Sequence, residues 1–128
     1  MTKVLIVEDE IQIAKMYQFK LETNGFSVQC AFNGRDGLEV AEKFRPDLIL
    51  LDLMMPIMDG AEMLKQLRGK KWGANVKVIV LTNISRDEAP SDMRLLGVDR
   101  YIVKAHYTPS QVFDIVNSVL GLKPETGR

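Results

Sequence analysis

Asp47-Leu48-Ile49-Leu50-Leu51-Asp52-Leu53-Met54-Met55-Pro56 is the stretch that decides the fold. Leu48 to Leu51 form an unbroken apolar run. That is the pattern of a strand buried on both faces, in a parallel sheet with helices on each side. Pro56 stops the strand, and Asp59-Gly60-Ala61-Glu62 offers an N-cap carboxylate with glutamate at N3, which starts a helix. Asp52 therefore stands at the carboxyl end of a buried strand, where open α/β sheets bind their ligands. A strand-end aspartate can equally do no more than meet solvent, so the rest of the chain must arbitrate.

Working outward, Val4-Leu5-Ile6-Val7 is a second apolar run and ends in Glu8-Asp9. Ile13, Met16, Tyr17 and Leu21 then share one helical face, which Asn24-Gly25 closes. Ile11 and Phe19 lie off that face, either at the rim of the core or as a partner-docking surface beside the acidic pair. Phe26 to Cys30 alternates apolar and polar, as a half-exposed edge strand does. Asn33-Gly34 opens a second helix carrying Leu38, Val40, Ala41 and Phe44, and Pro46 ends it. Met63, Leu64 and Leu67 stripe the third helix, and Val76 to Leu81 is a fourth strand ending in Thr82. Pro90 suits a helix interior poorly, so the fourth helix is predicted to start between Glu88 and Pro90 and to end at Gly97. Arg100 to Lys104 is the fifth strand. Thr108-Pro109-Ser110-Gln111 starts a fifth helix reaching Leu120, and the residues from Gly121 to Arg128 read as frayed.

Five strand–helix alternations without a repeat or an internal linker predict a doubly wound α/β fold. The sheet would have five parallel strands in the order 2-1-3-4-5, a flavodoxin-like arrangement with five helices. Residues 1–121 would form the domain and 122–128 a short tail. The 17 basic and 17 acidic residues cancel, and no Lys/Arg run exceeds Lys70-Lys71, which argues against direct nucleic-acid binding. Cys30 is the only cysteine, so neither an intrachain disulfide nor a cysteine metal cluster is expected. No apolar run reaches transmembrane length and Met1-Thr2-Lys3 leads straight into a strand, so no membrane insertion and a cytoplasmic location are expected.

In this strand order Glu8, Asp9, Asp52, Thr82 and Lys104 converge on one crevice. Three crowded carboxylates repel one another unless a cation sits among them. Their hard oxygens suit Mg²⁺. A metal on one side of Asp52, with an ammonium and a hydroxyl on the other, would cradle a tetrahedral dianion, and Asp52 itself could be the nucleophile. Thr82, Tyr101 and Lys104 also have plain readings, as a strand-end residue, a packed edge aromatic and a solvated lysine.

From end to end the chain resembles a response-regulator receiver domain. The likeness is carried by Val4-Leu5-Ile6-Val7-Glu8-Asp9, by Leu50-Leu51-Asp52-Leu53-Met54-Met55-Pro56-Ile57-Met58-Asp59-Gly60, by Val80-Leu81-Thr82 and by Tyr101-Ile102-Val103-Lys104. The resemblance implies that Asp52 accepts a phosphoryl group from a phosphohistidine on a sensor histidine kinase or a histidine phosphotransfer protein. Asp9, Asp52 and the backbone carbonyl of Met54 would ligate Mg²⁺, with Glu8 acting through a water. Thr82 and Lys104 would bind the phosphoryl oxygens, and Tyr101 would be the switch aromatic. The fourth helix, fifth strand and fifth helix would present the change to a downstream protein or a fused output domain. Such a protein is a signalling module and no enzyme beyond its own phosphoryl transfer and slow autodephosphorylation. Met54 and Ile84, each two residues beyond a site residue, should flank the path of the hydrolytic water.

Three departures from the family pattern stand out. Ala105 replaces the proline that usually follows the lysine through a cis bond, so either the bond is cis at a cost of about 2.5–4 kcal/mol or the loop is rearranged. Asn83 follows Thr82 where a small residue is common, and would narrow the entrance or add a hydrogen bond. The chain closes just after its fifth helix, as a stand-alone receiver or as the receiver half of a transcription regulator. His106, the only histidine, reads as a loop residue beside the site or part of a binding surface. The competing enzyme reading is a Mg²⁺-dependent phosphohydrolase with Asp52 as nucleophile. Against it, Met54 occupies the position where such enzymes favour an aspartate as general acid.

Overall fold

The apolar runs become strands of a parallel sheet: β1 Lys3–Val7, β2 Ser27–Ala31, β3 Leu48–Leu51, β4 Lys77–Thr82 and β5 Arg100–Val103. Their order is β2-β1-β3-β4-β5 in this computed structural model, which describes residues 1–89 and 91–122. The helices are α1 Ile11–Thr23, α2 Gly34–Phe44, α3 Gly60–Arg68 and α4 Pro109–Leu120. Neighbouring strands are in parallel register, with Val7 beside Leu51 and Leu51 beside Val80.

Alternate residues of the same strands face opposite layers. Val4, Ile6, Leu48, Leu50, Ile79 and Leu81 pack with Ala14, Tyr17 and Leu21 of α1 and Val112, Phe113 and Val116 of α4. Leu5, Val7, Ile49, Leu51, Val78 and Val80 pack with Ala41 of α2 and Met63, Leu64 and Leu67 of α3. Because both faces are buried, neither shows a polar alternation in β1 or β3. Each full burial of such a side chain contributes about 1.5–3 kcal/mol.

Local chemistry sets the helix starts as expected. Asp59 accepts a hydrogen bond from the Glu62 amide at 2.9 Å, and Asn33 accepts one from the Asp36 amide at 2.9 Å. Thr108 and Gln111 form a reciprocal capping box. Gly121 turns into the left-handed region at φ 72° and, with Leu122, closes α4 onto Asn117 and Ser118. Those two residues are thus a helix cap and not a frayed end. Residues 123–128 of the expected tail lie outside the described residues, as does Pro90.

Five helices were expected, and among the described residues there are four α-helices. In place of the fourth stand two 3₁₀ turns, Arg86–Glu88 and Ser91–Leu96. The longer of them has six residues, less than two α-turns, and isolated helices of that length are unstable in water. Met93 is its buried apolar anchor, while Leu95 is 87% exposed. Short pieces held this way adopt the tighter 3₁₀ form. The fifth strand also ends one residue early, because Lys104–His106 is itself a 3₁₀ turn. Met16, expected on the buried face of α1, is exposed; Ala14, Tyr17 and Leu21 form the buried line. No described helix is long and apolar enough to cross a membrane.

Candidate functional site

The site forms where β1, β3, β4 and β5 end. The Asp52 amide donates to the Val7 carbonyl at 3.0 Å, which extends the strand ladder by one residue and fixes the aspartate beside β1. From the other side Gly60 holds it, its amide donating to the Leu53 carbonyl at 3.0 Å. A Cβ at Gly60 would fall 2.1 Å from the Asp52 carbonyl oxygen, so only glycine allows α3 to start this close. A Cβ at Gly34 would likewise meet the Met58 carbonyl oxygen at 2.6 Å, and the Gly34 amide donates to that oxygen. The β3–α3 loop is thus gripped at both of these glycines. Ile57 within it takes φ 71°, a strained value for a β-branched residue.

Glu8, Asp9 and Asp52 present carboxylate oxygens that lie within 4.8 Å of one another. Glu8 and Asp52 are buried, and so is Thr82 at the end of β4. The Lys104 ammonium donates to Glu8 Oε1 and, at 3.2 Å, to Asp52 Oδ2. The other Asp52 oxygen accepts from the Met54 amide at 3.2 Å. Glu8 Oε2 accepts from the Glu10 amide at 3.0 Å. A cleft of about 330 Å³ opens over these groups, lined among others by Met54, Asn83, Ile84 and Glu88.

Burial pushes the Glu8 carboxyl up to about 7, and the Asp52 charge adds to that rise. The hydrogen bonds from Lys104 and the Glu10 amide oppose it. Burial pulls Lys104 down, but its hydrogen bond to Glu8 and the charges of Asp52 and Glu8 outweigh this, so its pKa lies above the usual lysine value. The lysine is a fixed cation between two carboxylates. A third anion, Asp9, is half-buried at the edge. Three hard carboxylate ligands so close together fit a divalent cation that takes oxygen donors and keeps waters, as Mg²⁺ does.

Tyr101 lies on β5, half-buried against the α2–α3 layer. Its hydroxyl donates to the Ile84 carbonyl at 2.8 Å and to the Ser85 carbonyl at 3.3 Å, so it holds the loop that follows Thr82. The Ile84 amide approaches Thr82 Oγ1 at 3.5 Å. The Lys104–Ala105 bond is trans, and the loop is accommodated by its 3₁₀ turn, with the Tyr107 amide on the Lys104 carbonyl. His106 is exposed on that turn. Glu10 and Glu88 also line the cleft, and sequence reasoning did not single them out. Glu10 could have been found as the direct neighbour of the acidic pair. Glu88 could not, because a 3₁₀ turn brings it over the site, with its carboxylate accepting from Ser85 Oγ at 2.8 Å.

Carboxylates, a threonine and a lysine thus meet at the adjoining strand ends of a doubly wound parallel α/β fold. The chain belongs to the response regulator receiver domain family, whose sequence model matches residues 4–117. It is 37% identical over 119 residues to the alkaline phosphatase synthesis transcriptional regulatory protein PhoP of Bacillus subtilis, covering 92% of this chain and 48% of that protein. It is 41% identical over 103 residues to the uncharacterized transcriptional regulatory protein YkoG of the same organism, covering 79% of this chain and 43% of that one. The chain therefore spans about half the length of the curated relatives it matches. Among solved structures it resembles the chemotaxis protein CheY4 of Vibrio cholerae, with a TM-score of 0.86 and 31% identity over 93% of this chain and 98% of that one. The Francisella response regulator 1452 receiver domain is similar too, with a TM-score of 0.82 and 31% identity over 94% and 98% of the two chains.

Proposed function

We propose that this chain is the phosphorylation-switched receiver of a two-component relay, with Asp52 as phosphoryl acceptor. One observation carries the reading. Asp52 is held at the end of the central strand, only 6% exposed yet lining an open cleft, with one carboxylate oxygen on the Lys104 ammonium. An Asp52 oxygen attacks the phosphorus of a phosphohistidine, the P–N bond breaks, the imidazole leaves with its electron pair, and an acyl phosphate remains on Asp52. Lys104 and the Thr82 hydroxyl bind the equatorial oxygens of the transferring group, where charge is spread during such a reaction.

Asp9, Asp52 and the Met54 carbonyl would hold Mg²⁺, with Glu8 acting through a water. The metal would neutralise phosphoryl charge that the carboxylates alone would repel. Tyr101 is the second part of the switch. As Thr82 is drawn toward the phosphoryl group, the loop bonded to the Tyr101 hydroxyl moves with it. A downstream protein or output domain then reads the surface made by the Ser91–Leu96 segment, β5 and α4. The phosphodonor protein docks on the exposed Ile11 and Phe19 of α1, beside the acidic pair.

Incubation with acetyl phosphate and Mg²⁺ tests the acceptor. Mass spectrometry should show one added phosphoryl group, labile to hydroxylamine as an acyl phosphate is, and Asp52→Asn should lose it while keeping the fold. Hydroxylamine-sensitive phosphate on the Asn variant would remove Asp52 from this role. Many turnovers of small phosphate esters would favour a phosphohydrolase instead.

A further inference from the structure

Arg68, the last residue of α3, directs its guanidinium entirely at backbone. Its Nε donates to the Leu96 carbonyl at 2.6 Å and its Nη2 to the Gly97 carbonyl at 2.9 Å. Its Nη1 donates to the Gly73 carbonyl at 2.9 Å and the Val76 carbonyl at 2.8 Å. Two of these acceptors belong to the loop between α3 and β4. The other two close the 3₁₀ segment Ser91–Leu96, which packs against α3. Four carbonyls on two separate stretches of chain thus meet one rigid, planar donor, a geometry that a lysine cannot reproduce.

The connection from β4 to β5 is therefore held by side chains at both of its ends. At the site end the Tyr101 hydroxyl binds the Ile84 and Ser85 carbonyls, next to Thr82. At the far end Arg68 binds Leu96 and Gly97, where Gly97 reverses the chain at φ 71°. Just beyond, the Asp99 carboxylate accepts from the Val78 amide at 2.8 Å and fixes the entry to β5. Met93 is buried between these ends and Leu95 is exposed.

The geometry points to Arg68 as the fixed end of the switching connection, a positioning residue that turns displacement near Thr82 into a defined movement of the segment carrying Leu95. This rests on the receiver reading of Asp52. A bound group shifts a two-state element only if the two states differ in defined contacts. With Leu96 and Gly97 pinned, movement passed on from Ile84 and Ser85 is confined to the chain between the two ends, so the segment can shift between defined arrangements. Without the pin, a short 3₁₀ segment with one buried methionine samples many positions in either state, and the difference between the states shrinks.

Arg68→Met keeps the apolar stem and deletes every donor. The experiment records amide chemical shifts of the full chain with and without beryllofluoride and Mg²⁺, which stand in for the phosphoryl group on Asp52. In the wild type, shifts are expected at Thr82–Ile84 and also at Leu95–Gly97. In Arg68→Met those at Thr82–Ile84 should persist, while those at Leu95–Gly97 should fall by about twofold or more as the far end loses its two defined states. Arg68→Lys should give an intermediate loss, and where the Met variant does not hold its fold the Lys variant decides by the same criterion. A merely structural role would lower the melting temperature and leave the ratio of the two sets unchanged. Full-size changes at Leu95–Gly97 beside normal changes at Thr82–Ile84 would overturn the proposal. No change at Thr82–Ile84 in the wild type would sink the receiver reading, and this inference with it.

Discussion

Met54, 64% exposed, and the half-buried Ile84 both line the cleft above Asp52. Neither side chain can hydrogen-bond a water, and both are large enough to stand in its way. Hydrolysis of an aspartyl phosphate needs a water aligned opposite the bond that breaks, and aligning it is a large part of the catalysis. With Asp52 in the proposed acceptor role, a slow loss of phosphate is the expected outcome. Met54→Asn combined with Ile84→Glu should shorten the half-life about tenfold or more, only ~1.4 kcal/mol in barrier. Phosphate release followed at fixed Mg²⁺ and pH is the measurement; an unchanged rate would show that these two positions do not set the lifetime. Their identity and spacing from Asp52 and Thr82 were legible in the sequence, and the turns in which the Met54 amide meets Asp52 Oδ1 and the Ile84 amide approaches Thr82 Oγ1 keep both beside the cleft. The position of Glu88 on the same cleft was not.

The start of α3 shows how an element positions a strand-end side chain, that of Asp52. Gly60→Ala would place a methyl 2.1 Å from the Asp52 carbonyl oxygen, so either α3 must retreat or the Asp52 backbone must shift. Overpacking of this kind costs about 1–3 kcal/mol. A lower urea midpoint together with a slower reaction with acetyl phosphate is expected. A variant destabilised but equally fast would mean that α3 yields and Asp52 stays. The strands and caps were readable because their signals are local: an unbroken apolar run, or a side-chain oxygen three residues before the amide it accepts from. The segment after β4 was not, because 3₁₀ or α there depends on what Met93 and the carbonyls of Leu96 and Gly97 find in α3. Met16 was misplaced for a related reason. The helix is apolar on more than one side, so periodicity alone does not choose the face that docks.

Across the whole molecule acidic and basic residues balance, yet three carboxylates are concentrated at one end of the sheet. Glu8 has a folded-state pKa of about 7 against 4.5 unfolded, so the folded protein binds the extra proton between those values. Stability from this group is full below about pH 4.5 and is lost as pH rises through about 7. Without metal the melting temperature should therefore decline across that window, and Glu8→Gln should flatten the decline. Millimolar Mg²⁺ should raise the melting temperature as RT ln(1 + [L]/Kd) directs, more at pH 8 than at pH 5.5, since a protonated Glu8 no longer offers a charged oxygen to the water through which it would act. The rise should diminish in Asp9→Ala. A shift independent of pH, or undiminished in Asp9→Ala, would put the metal elsewhere. The strand order has a further consequence, for synthesis on the ribosome. After β2, every strand adds on the side of the sheet away from β2, β3 on β1, β4 on β3 and β5 on β4. The nascent sheet can thus grow outward as it emerges. Glu8, Asp9 and Asp52 are all synthesised before Lys104, so the carboxylates of the pocket precede in the chain the cation that pairs with Glu8 and Asp52. The cation that balances the pocket comes last, on the turn that directly follows the strand completing the sheet.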